Sequence, residues 1–516
     1  MKTNKAMSLI RSFNKKGKLY LHEHPPGAGK THMMVKLMNG SKQHRVTYSA
    51  PTTALIDELA EKLEDTLIVT SETVGKATVG KWLEKNTSKL QKAKVVLTTH
   101  ESLLRYPEYF QKCVLVDKNG KQYEDKRDLV IDELPRLIDF HNFWTDAEDA
   151  NELKELTREK ARQLLTDNKL GSERLTERKA NFLEMFARSS HFDFYIEERT
   201  KQERKGIEVY YTHMTDTAVW EGFDGIHLMG ATLKDTLAYA YFTKIAKLPV
   251  GKSTEHSPRG NKMENNVTLV PLTVCADRDF ITKKVLKENY KAMEDVVREH
   301  SASGEVASIT NNDYKLMLQK PFELMPTKAH GLNAWADKTE VAVLYCANPN
   351  PKLFKLMSHY SKALGMSEGY FKDAWVEQNF LDVVYQAVTR SAIRVPDSKD
   401  DLIFFVPDVR SAEWLKHKLP NATIDYDKGV KVEIDKGGAP VGSANASGDN
   451  YKVAKYLKEA QQVRGKKVYR IIDAFIKANG FAPNIDVYEH KVLLSRASNV
   501  KSLKGFDWDI NNWKIS

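Results

Sequence analysis

A glycine-containing loop near the start of the chain carries the residue types that hold phosphate groups. The segment HPPGAGKTH (24–32) follows an apolar run and precedes a helix-like run, MMVKLM. Its glycines let the backbone turn with N–H groups pointing inward, and a following helix adds the partial positive charge of its first turn. Lys30 is placed to reach β- and γ-phosphates, and the Thr31 hydroxyl is a ligand for Mg²⁺. The spacing predicts a binding loop for ATP and Mg²⁺ made of Pro26, Gly27, Ala28, Gly29, Lys30, Thr31 and His32.

A pair of acidic residues supplies the second half of this chemistry. The run LVIDELP (129–135) predicts a buried strand that ends at Asp132 and Glu133. We expect Asp132 to hold Mg²⁺, directly or through water, and Glu133 to polarise the attacking water. One departure is His24, which stands where the pattern GxxxxGK[ST] has its first glycine. The alternative interpretations are a plain glycine-rich turn and a strand that ends at the surface.

The elements that must position these residues follow an α/β pattern. Short apolar or β-branched runs alternate with helix-like stretches through the first 140 residues or so. Such alternation predicts a mostly parallel sheet with helices on both faces. The runs are KLYLHEH (18–24), RVTYSAP (45–51), KVVLTTH (94–100) and DLVIDE (128–133).

The remaining chain divides by composition. The stretch of about 145–205 is charged and has leucines at helical spacing, which predicts a helical insertion. The sheet is predicted to resume at 206–211 and 224–232. A second α/β pattern runs through 246–434, with strands predicted at 306–310, 321–327, 339–345 and 401–408. Residues 435–450 are rich in Gly, Ala and Ser, as a linker is, and 451–516 predict a small, basic, mainly helical C-terminal accessory domain.

Seven motifs, in a fixed order over most of 20–400, resemble those of superfamily 2 helicases of the DEAD/DEAH-like type. GAGKT and DELP look like motifs I and II. The others are SAPTTALIDEL (49–59, motif Ia), VLTTHESLL (96–104, Ic), MGATL (229–233, III), KAHGLNAWADKTEVAVLY (328–345, V) and YQAVTRSAIR (385–394, VI). The resemblance implies two RecA-like parallel-sheet domains in tandem, the first spanning 1–245 with the insertion and the second 246–434.

The resemblance also implies roles for individual residues. Contacts to a nucleic-acid strand fall to Pro51, Thr52, Thr98, Thr99, His100, Gly331 and Asn333. Coupling between the ATP and strand sites falls to Gly230, Ala231 and Thr232. Motif VI contributes the catalytic residues Gln386, Arg390 and Arg394. Arg390 comes four residues after Gln386, as the family pattern has it, but Arg394 comes eight after where the pattern has seven, so Arg390 is the firmer assignment of a guanidinium to the γ-phosphate.

Each weaker motif has a purely structural interpretation. The pair Thr98-Thr99 suits a turn at a strand end, and 330–333 suits any β–α loop. Trp335 is either a core residue or a platform on which bases stack. The motif VI arginines on neighbouring helical turns suit a solvated basic face. The common order of the motifs favours the functional interpretation of the set.

Composition limits the remaining possibilities. The chain has 516 residues, 41% of them apolar and 29% charged, which excludes a disordered or fibrous protein. The formal charge of +10 suits a polyanionic partner and suits a soluble basic enzyme equally well. No apolar run approaches the ~18 residues that a membrane span requires, so we expect a cytoplasmic protein, in the host cytoplasm if it is viral.

The cysteines narrow the family branch. The chain is similar to the phage-encoded and damage-inducible branch, which carries ATL at motif III and Gly-x-Asn in motif V. Relatives there often hold an iron–sulphur cluster. The three cysteines of this chain, Cys113, Cys275 and Cys346, are too scattered to favour one.

The resemblance implies an ATP-dependent DNA helicase or translocase. Because its contacts are with phosphates, we expect weak sequence preference and strong salt sensitivity. We expect a monomer that acts on single-stranded or forked DNA, with RNA possible, in replication or recombination and of viral origin. Other interpretations are an RNA helicase, an AAA-type ATPase that remodels proteins, and a binder that has lost turnover. The spacing of 102 residues from Lys30 to Asp132 is long for a minimal AAA core. The presence of Lys30, Asp132 and Glu133 disfavours a binder that has lost turnover.

Overall fold

The computed structural model places the motifs in two sheet-centred lobes. It describes residues 18–432 except 41–43, 76–77, 118, 172, 189–190, 202–203, 252–262, 277, 316–320, 327–333, 350 and 396–397, together with 508–509 and 514–515. The chain divides into two compact units, Met1–Ile434 and Asp435–Ser516. In the second unit the described residues form one antiparallel strand pair, Trp508–Asp509 with Lys514–Ile515. The predicted linker, 435–450, and the rest of the accessory domain lie outside the described residues.

The first part of the chain alternates strands and helices. Its strands are β1 (Lys18–Glu23), β2 (Val46–Ala50), β3 (Thr66–Val69), β4 (Val95–Thr99), β5 (Lys112–Val116), β6 (Gln122–Lys126), β7 (Asp128–Asp132) and β8 (Ile138–Thr145). Its helices are α1 (Lys30–Gly40), α2 (Thr53–Ala60), α3 (Val79–Lys85), α4 (Thr87–Lys92), α5 (His100–Arg105) and α6 (Pro107–Phe110). Hydroxyl caps begin several of these helices: the Thr52 side chain accepts from the Leu55 N–H at 3.4 Å, for example.

An insertion with its own core follows. Its elements are α7 (Ala147–Lys154), α8 (Arg158–Asp167), β9 (Lys169–Leu170), β10 (Glu173–Arg174), α9 (Glu177–Arg188), β11 (His191–Lys201) and β12 (Arg204–Met214). The order β11-β12-β8 makes an antiparallel sheet. Phe182 of α9 lies at the centre of the insertion core, with ring centroids 5.3 Å from Phe143 and 5.0 Å from Tyr211.

The insertion therefore contains the predicted helices but is not wholly helical. The prediction that the central sheet resumes at 206–211 is wrong, because this segment belongs to β12 and pairs with β8 and β11. The physical reason is burial on one side: Val209 and Tyr211 point into the insertion core, which the three helices cover. A run of apolar and aromatic residues does not distinguish a strand of a parallel sheet from a strand of such a hairpin.

The chain returns to the first sheet after the insertion. It forms α10 (Ala218–Glu221), β13 (Gly225–Gly230), α11 (Leu237–Ala240) and a π-helical turn at Tyr241–Ile245. The sheet order is β1-β13-β7-β2-β4-β3, and all five pairings are parallel. Strand β7 is buried along its whole length because it lies inside the sheet with both faces covered. The carboxyl ends of β1, β7 and β13 consequently lie side by side.

The second lobe repeats this architecture. Its strands are β14 (Val267–Pro271), β15 (Thr273–Cys275), β16 (Val306–Thr310), β17 (Phe322–Leu324), β18 (Glu340–Leu344), β19 (Leu402–Val406), β20 (Ala422–Ile424) and β21 (Val430–Val432). Its helices are α12 (Lys283–His300), α13 (Pro351–Ala363), α14 (Tyr370–Val376), α15 (Asp382–Val388) and α16 (Val409–Lys418), with a π-helical turn at Glu377–Leu381 before α15. The sheet order is β17-β16-β18-β19-β14-β20, again parallel.

Two parallel six-stranded sheets in tandem confirm the predicted fold class. Each sheet has apolar clusters on its two faces, as an α/β layer requires. Among the described residues, no helix is both long enough and apolar enough to cross a membrane.

Candidate active site

The phosphate-binding loop joins β1 to α1 with the backbone conformation that the glycines permit. Gly27 and Gly29 have φ of +77° and +85°, a region that residues with a Cβ rarely adopt. Ala28 is buried and donates its N–H to the Pro25 carbonyl at 3.2 Å. Pro26 is also buried, whereas His32 on the first turn of α1 is exposed. The loop therefore presents a compact turn at the start of a helix, as the sequence predicts.

Lys30 lies folded over the loop. Its Nζ donates to the carbonyl oxygens of His24 at 2.6 Å and Pro25 at 3.2 Å. Burial lowers the pKa of Lys30, and the negative charges of Asp132 and Glu133 oppose that shift. A lysine that is buried against its own loop and faces two carboxylates is suited to exchange the carbonyl contacts for phosphate oxygens.

The Asp132 carboxylate lies where β7 ends, next to the loop. Its Oδ2 accepts from the Thr31 hydroxyl at 3.5 Å and from the Tyr48 hydroxyl at 2.6 Å. Burial raises the pKa of Tyr48 well above its ordinary value, so this hydroxyl keeps its proton and remains a donor. A hydroxyl and a carboxylate oxygen side by side fit Mg²⁺, which binds nucleotides through few protein ligands and keeps its other positions for water and phosphate.

Glu133 adopts a left-handed backbone conformation, with φ of +69°. Such a conformation costs about 1–2 kcal/mol in a residue other than glycine and persists where the surroundings impose it. Two hydrogen bonds do so here. The Glu133 N–H donates to the Met229 carbonyl at 2.9 Å, and His100 Nε2 lies 3.0 Å from the Asp132 carbonyl oxygen of the same peptide unit.

Two arginines of the second lobe approach this site. Arg390 follows α15 and is only 5% exposed; burial lowers its pKa to about 10, and the charge of Glu133 opposes the shift. Arg394 ends a short 3₁₀ turn, and burial lowers its pKa as well, again against the charge of Glu133. A Cβ added to Gly27 would lie 3.2 Å from the Arg394 Cβ, so Arg394 packs directly on the phosphate-binding loop.

The additional residue in the motif VI spacing therefore does not remove Arg394 from the site. The 3₁₀ turn at Ala392–Arg394 brings its side chain back towards the loop. Gln386 is on α15, four residues before Arg390. It lines a cavity together with Glu133 and Arg390. The six predicted catalytic residues thus lie around one cleft between the lobes.

The predicted coupling segment crosses between the lobes. Gly230 ends β13, and the Leu233 side chain fills the space where a Cβ would stand, 2.4 Å from it. Ala231 packs into the apolar core of the second lobe. The buried Thr232 hydroxyl donates to the buried Asp382 carboxylate at the start of α15. The segment after β13 is therefore hydrogen-bonded to α15, the helix that carries Gln386.

A large cavity opens from the cleft towards the insertion. Its volume is about 1570 Å³, and both lobes and the insertion line it. Of the predicted strand contacts, Pro51 and His100 line it. Gly331 and Asn333 lie outside the described residues, as does the start of motif V, 328–333.

Three predicted strand contacts are used inside the fold. The Thr98 side chain is fully buried and its hydroxyl donates to the Val69 carbonyl at 3.0 Å, so the prediction that it contacts a strand needs correction for this arrangement. The Thr52 and Thr99 hydroxyls cap α2 and α5. Trp335 is a core residue, 7% exposed, with its indole N–H donating to Glu323 at 2.8 Å.

Two residues of the site were missed by the sequence interpretation. Asp382 comes four residues before Gln386 in a helical run, so the spacing alone would have placed both on one face. Tyr48 had no such signal. It becomes a neighbour of Asp132 only because β2 pairs with β7, which the sequence does not state.

One family model and several solved structures are similar to this chain. Residues 4–166, about a third of the chain, match the family model "DEAD/DEAH box helicase". No curated protein matches the chain. Among solved structures, the chain is similar to an XPD helicase (12% identity, 83% of this chain and 98% of that one, TM-score 0.45). The chain is also similar to Xpd4 of S. tokodaii (12% identity, 82% of this chain and 98% of that one, TM-score 0.43). A third similar structure is S. cerevisiae Dbp5 bound to RNA and ADP BeF3 (11% identity, 81% of this chain and 86% of that one, TM-score 0.31).

Proposed function

We propose that this chain, a nucleic-acid-dependent ATPase with a DEAD/DEAH box helicase domain, is a DNA helicase or translocase that couples ATP hydrolysis between its lobes to movement along a strand. The observation that carries the proposal is the convergence of Lys30, Glu133 and Arg390 on one cleft from two separate sheets. Neither lobe by itself supplies the complete set.

Hydrolysis follows from the positions of these side chains. The Glu133 carboxylate accepts a proton from water as the water oxygen bonds to the γ-phosphorus and the bond from phosphorus to the β–γ bridging oxygen breaks. Lys30 and the guanidinium groups of Arg390 and Arg394 offset the negative charge on the phosphoryl oxygens and the leaving diphosphate. Mg²⁺, when bound, neutralises phosphate charge, and Thr31 and Asp132 are the residues that would hold it.

Movement requires that hydrolysis change the relation between the lobes. Because Arg390 and Arg394 belong to the second lobe, the catalytic set is complete only when the lobes are closed. The contact of Thr232 with Asp382 ties the carboxyl end of β13 to α15, which precedes Arg390. If each lobe grips the same strand by its phosphates, closing and opening move one grip relative to the other.

The cavity supplies a surface for such a strand. Arginines from the first lobe and the insertion line it beside several carboxylates, and Arg105 pairs there with Glu184. We assign contacts with a phosphate backbone to Arg136, Arg158 and Arg162. Contacts of this kind read phosphates rather than bases, so sequence preference is weak and affinity falls steeply with salt. The choice of DNA over RNA is supported by the ATL of motif III, which resembles the phage-encoded and damage-inducible branch.

The insertion is proposed to clamp the strand. Arg158 and Arg162 project from α8 into the cavity. Reversing both charges is expected to weaken strand affinity and to lower the salt dependence of binding by about two phosphate contacts. The matched control reverses Lys154 and Lys169, which are exposed on the insertion outside the cavity lining. Equal loss of affinity in both pairs would attribute the effect to net charge and contradict the clamp.

One panel of substrates tests the proposed function. Strand displacement is measured on forked DNA, on 5′- and 3′-tailed duplexes and on RNA equivalents, with ATPase rates recorded in parallel. We expect single-stranded DNA to stimulate ATPase, DNA substrates to be preferred, and Lys30→Ala to lose turnover. ATPase that no strand stimulates would contradict the proposal and favour an ATPase that remodels proteins.

A further inference from the structure

His100 connects the cavity to the catalytic peptide. It is the first residue of α5, directly after β4. Its Nδ1 lies 2.6 Å from the Ser49 hydroxyl oxygen, and its Nε2 lies 3.0 Å from the Asp132 carbonyl oxygen. Since a carbonyl oxygen only accepts, Nε2 carries the proton and donates. In the neutral ring Nδ1 then accepts from the Ser49 hydroxyl, so both contacts are satisfied by one tautomer.

The carbonyl that His100 holds belongs to the peptide unit between Asp132 and Glu133. On the other side of this peptide, the Glu133 N–H donates to the Met229 carbonyl at 2.9 Å. The peptide is thus held from two directions while Glu133 has a φ of +69°. Without the donor at His100, the peptide would lose one of these two contacts, and the direction of the Glu133 carboxylate would be less firmly fixed.

The same imidazole faces the region assigned to the strand. His100 and Pro51 both line the cavity, and Pro51 comes two residues after Ser49. The ends of β2 and β4 are adjacent in the sheet, with Ala50 opposite Thr99. A ligand that presses on these two strand ends therefore acts on the ring itself, which follows β4, and on its partner Ser49 of β2. The ring passes the contact to the Asp132 carbonyl at the end of β7.

We propose that His100 is a positioning residue through which an occupied cavity fixes the orientation of Glu133. This inference rests on the proposed function, because it requires that the cavity take a nucleic-acid strand. It replaces the direct strand contact that the motif predicts for His100. The ring acts on the peptide between Asp132 and Glu133, and Glu133 acts on the water.

Substitutions that separate the two ring contacts test the assignment. His100→Ala removes both contacts, whereas His100→Gln retains an amide N–H that can reach the Asp132 carbonyl. With oligo-dT as the strand, we expect His100→Ala to lower the strand-saturated kcat for ATP about tenfold. The KM for ATP and the Kd for the oligonucleotide should stay within about twofold of the wild type. His100→Gln should recover kcat to within about threefold.

Matched controls distinguish positioning from a general loss of structure. Glu84→Gln changes an exposed residue of α3 that does not line the cavity, and it is expected to keep the saturated kcat. Ser49→Ala removes only the partner of Nδ1 and should lower kcat less than His100→Ala does. Thermal unfolding of each variant shows whether it folds.

Three outcomes would overturn the inference. One is a saturated kcat of His100→Ala within twofold of the wild type. Another is a tenfold weaker oligonucleotide Kd with unchanged kcat, which would make His100 a strand contact. The third is a His100→Gln variant as slow as His100→Ala, since the amide donor would then have no effect. A wild-type ATPase that oligo-dT does not stimulate would instead contradict the proposed function.

Discussion

Replacing Thr232 by valine removes one of the hydrogen bonds that join the two lobes, while keeping the size of the side chain. The Thr232 hydroxyl and the Asp382 carboxylate are 1% and 7% exposed, so water does not readily replace the lost donor. A hydrogen bond to a charged group contributes about 1.5–3 kcal/mol, which is the free energy lost with the Thr232 donor. The closed arrangement of the lobes should be weakened by about that free energy.

That free energy sets the expected change in rate. Each ~1.36 kcal/mol corresponds to a factor of ten, so the closed arrangement should be about 10- to 150-fold less favoured in Thr232→Val. If closure is required for catalysis, the strand-saturated kcat falls by up to this factor. The KM for ATP changes less, because Lys30 and the phosphate-binding loop belong to the first lobe.

Thr236→Val is the matched control. Thr236 is fully buried four residues later, but its hydroxyl donates to the Leu233 carbonyl at 2.7 Å within the first lobe. This variant should lower the thermal midpoint and leave kcat within about twofold. A double-mutant cycle of Thr232→Val with Asp382→Asn, which keeps a neutral acceptor, isolates the pair. Full turnover in Thr232→Val, or additive effects in the cycle, would refute the reasoning.

Two further predictions concern the first lobe. Tyr48→Phe removes the donor 2.6 Å from Asp132 Oδ2, so the Mg²⁺ concentration for half-maximal ATPase should rise about tenfold; an unchanged Mg²⁺ titration would contradict the positioning of Asp132 by Tyr48. Burial lowers the pKa of His22 to about 3 from an unfolded value near 6.5, so the unfolded chain binds the extra proton and stability falls as pH decreases through this window. At pH 5 the protonation of His22 in the unfolded chain lowers the free energy of unfolding by about 2 kcal/mol. Burial raises the pKa of Asp128 to about 6, so the folded chain binds that proton more readily and Asp128 favours the folded state as pH falls. Urea unfolding at pH 7.5 and pH 5 should show a smaller loss in His22→Gln than in the wild type, and equal losses would exclude His22 as a source.

The parts of the site predicted from sequence are those whose geometry is local. The segment from Pro26 to Thr31 forms its turn through two glycines and the start of a helix, so its residue types alone predict its conformation. The β7 run predicts its own burial through three consecutive apolar residues before Asp132. The strand β16, predicted at 306–310, has these bounds in the structure.

The parts that were missed depend on which elements become neighbours. The motif order assigned Thr98 to the strand surface, but the pairing of β4 with β3 places its hydroxyl against Val69. The roles of Tyr48 and Asp382 arise from the pairing of β2 with β7 and from contact between lobes. Apolar periodicity identifies a buried face without naming what covers it, and the antiparallel β12 was misassigned for the same reason.

The central claim is that the nucleotide site is shared between two lobes, and Arg390 tests it most directly. Single-turnover ATP hydrolysis and nucleotide affinity are measured for the wild type and for Arg390→Ala at saturating oligo-dT. We predict that hydrolysis slows by about 10³-fold or more while the Kd for ATP changes less than about tenfold, because the guanidinium acts on charge that develops during phosphoryl transfer. Hydrolysis by Arg390→Ala at the wild-type rate would contradict a site completed by the second lobe.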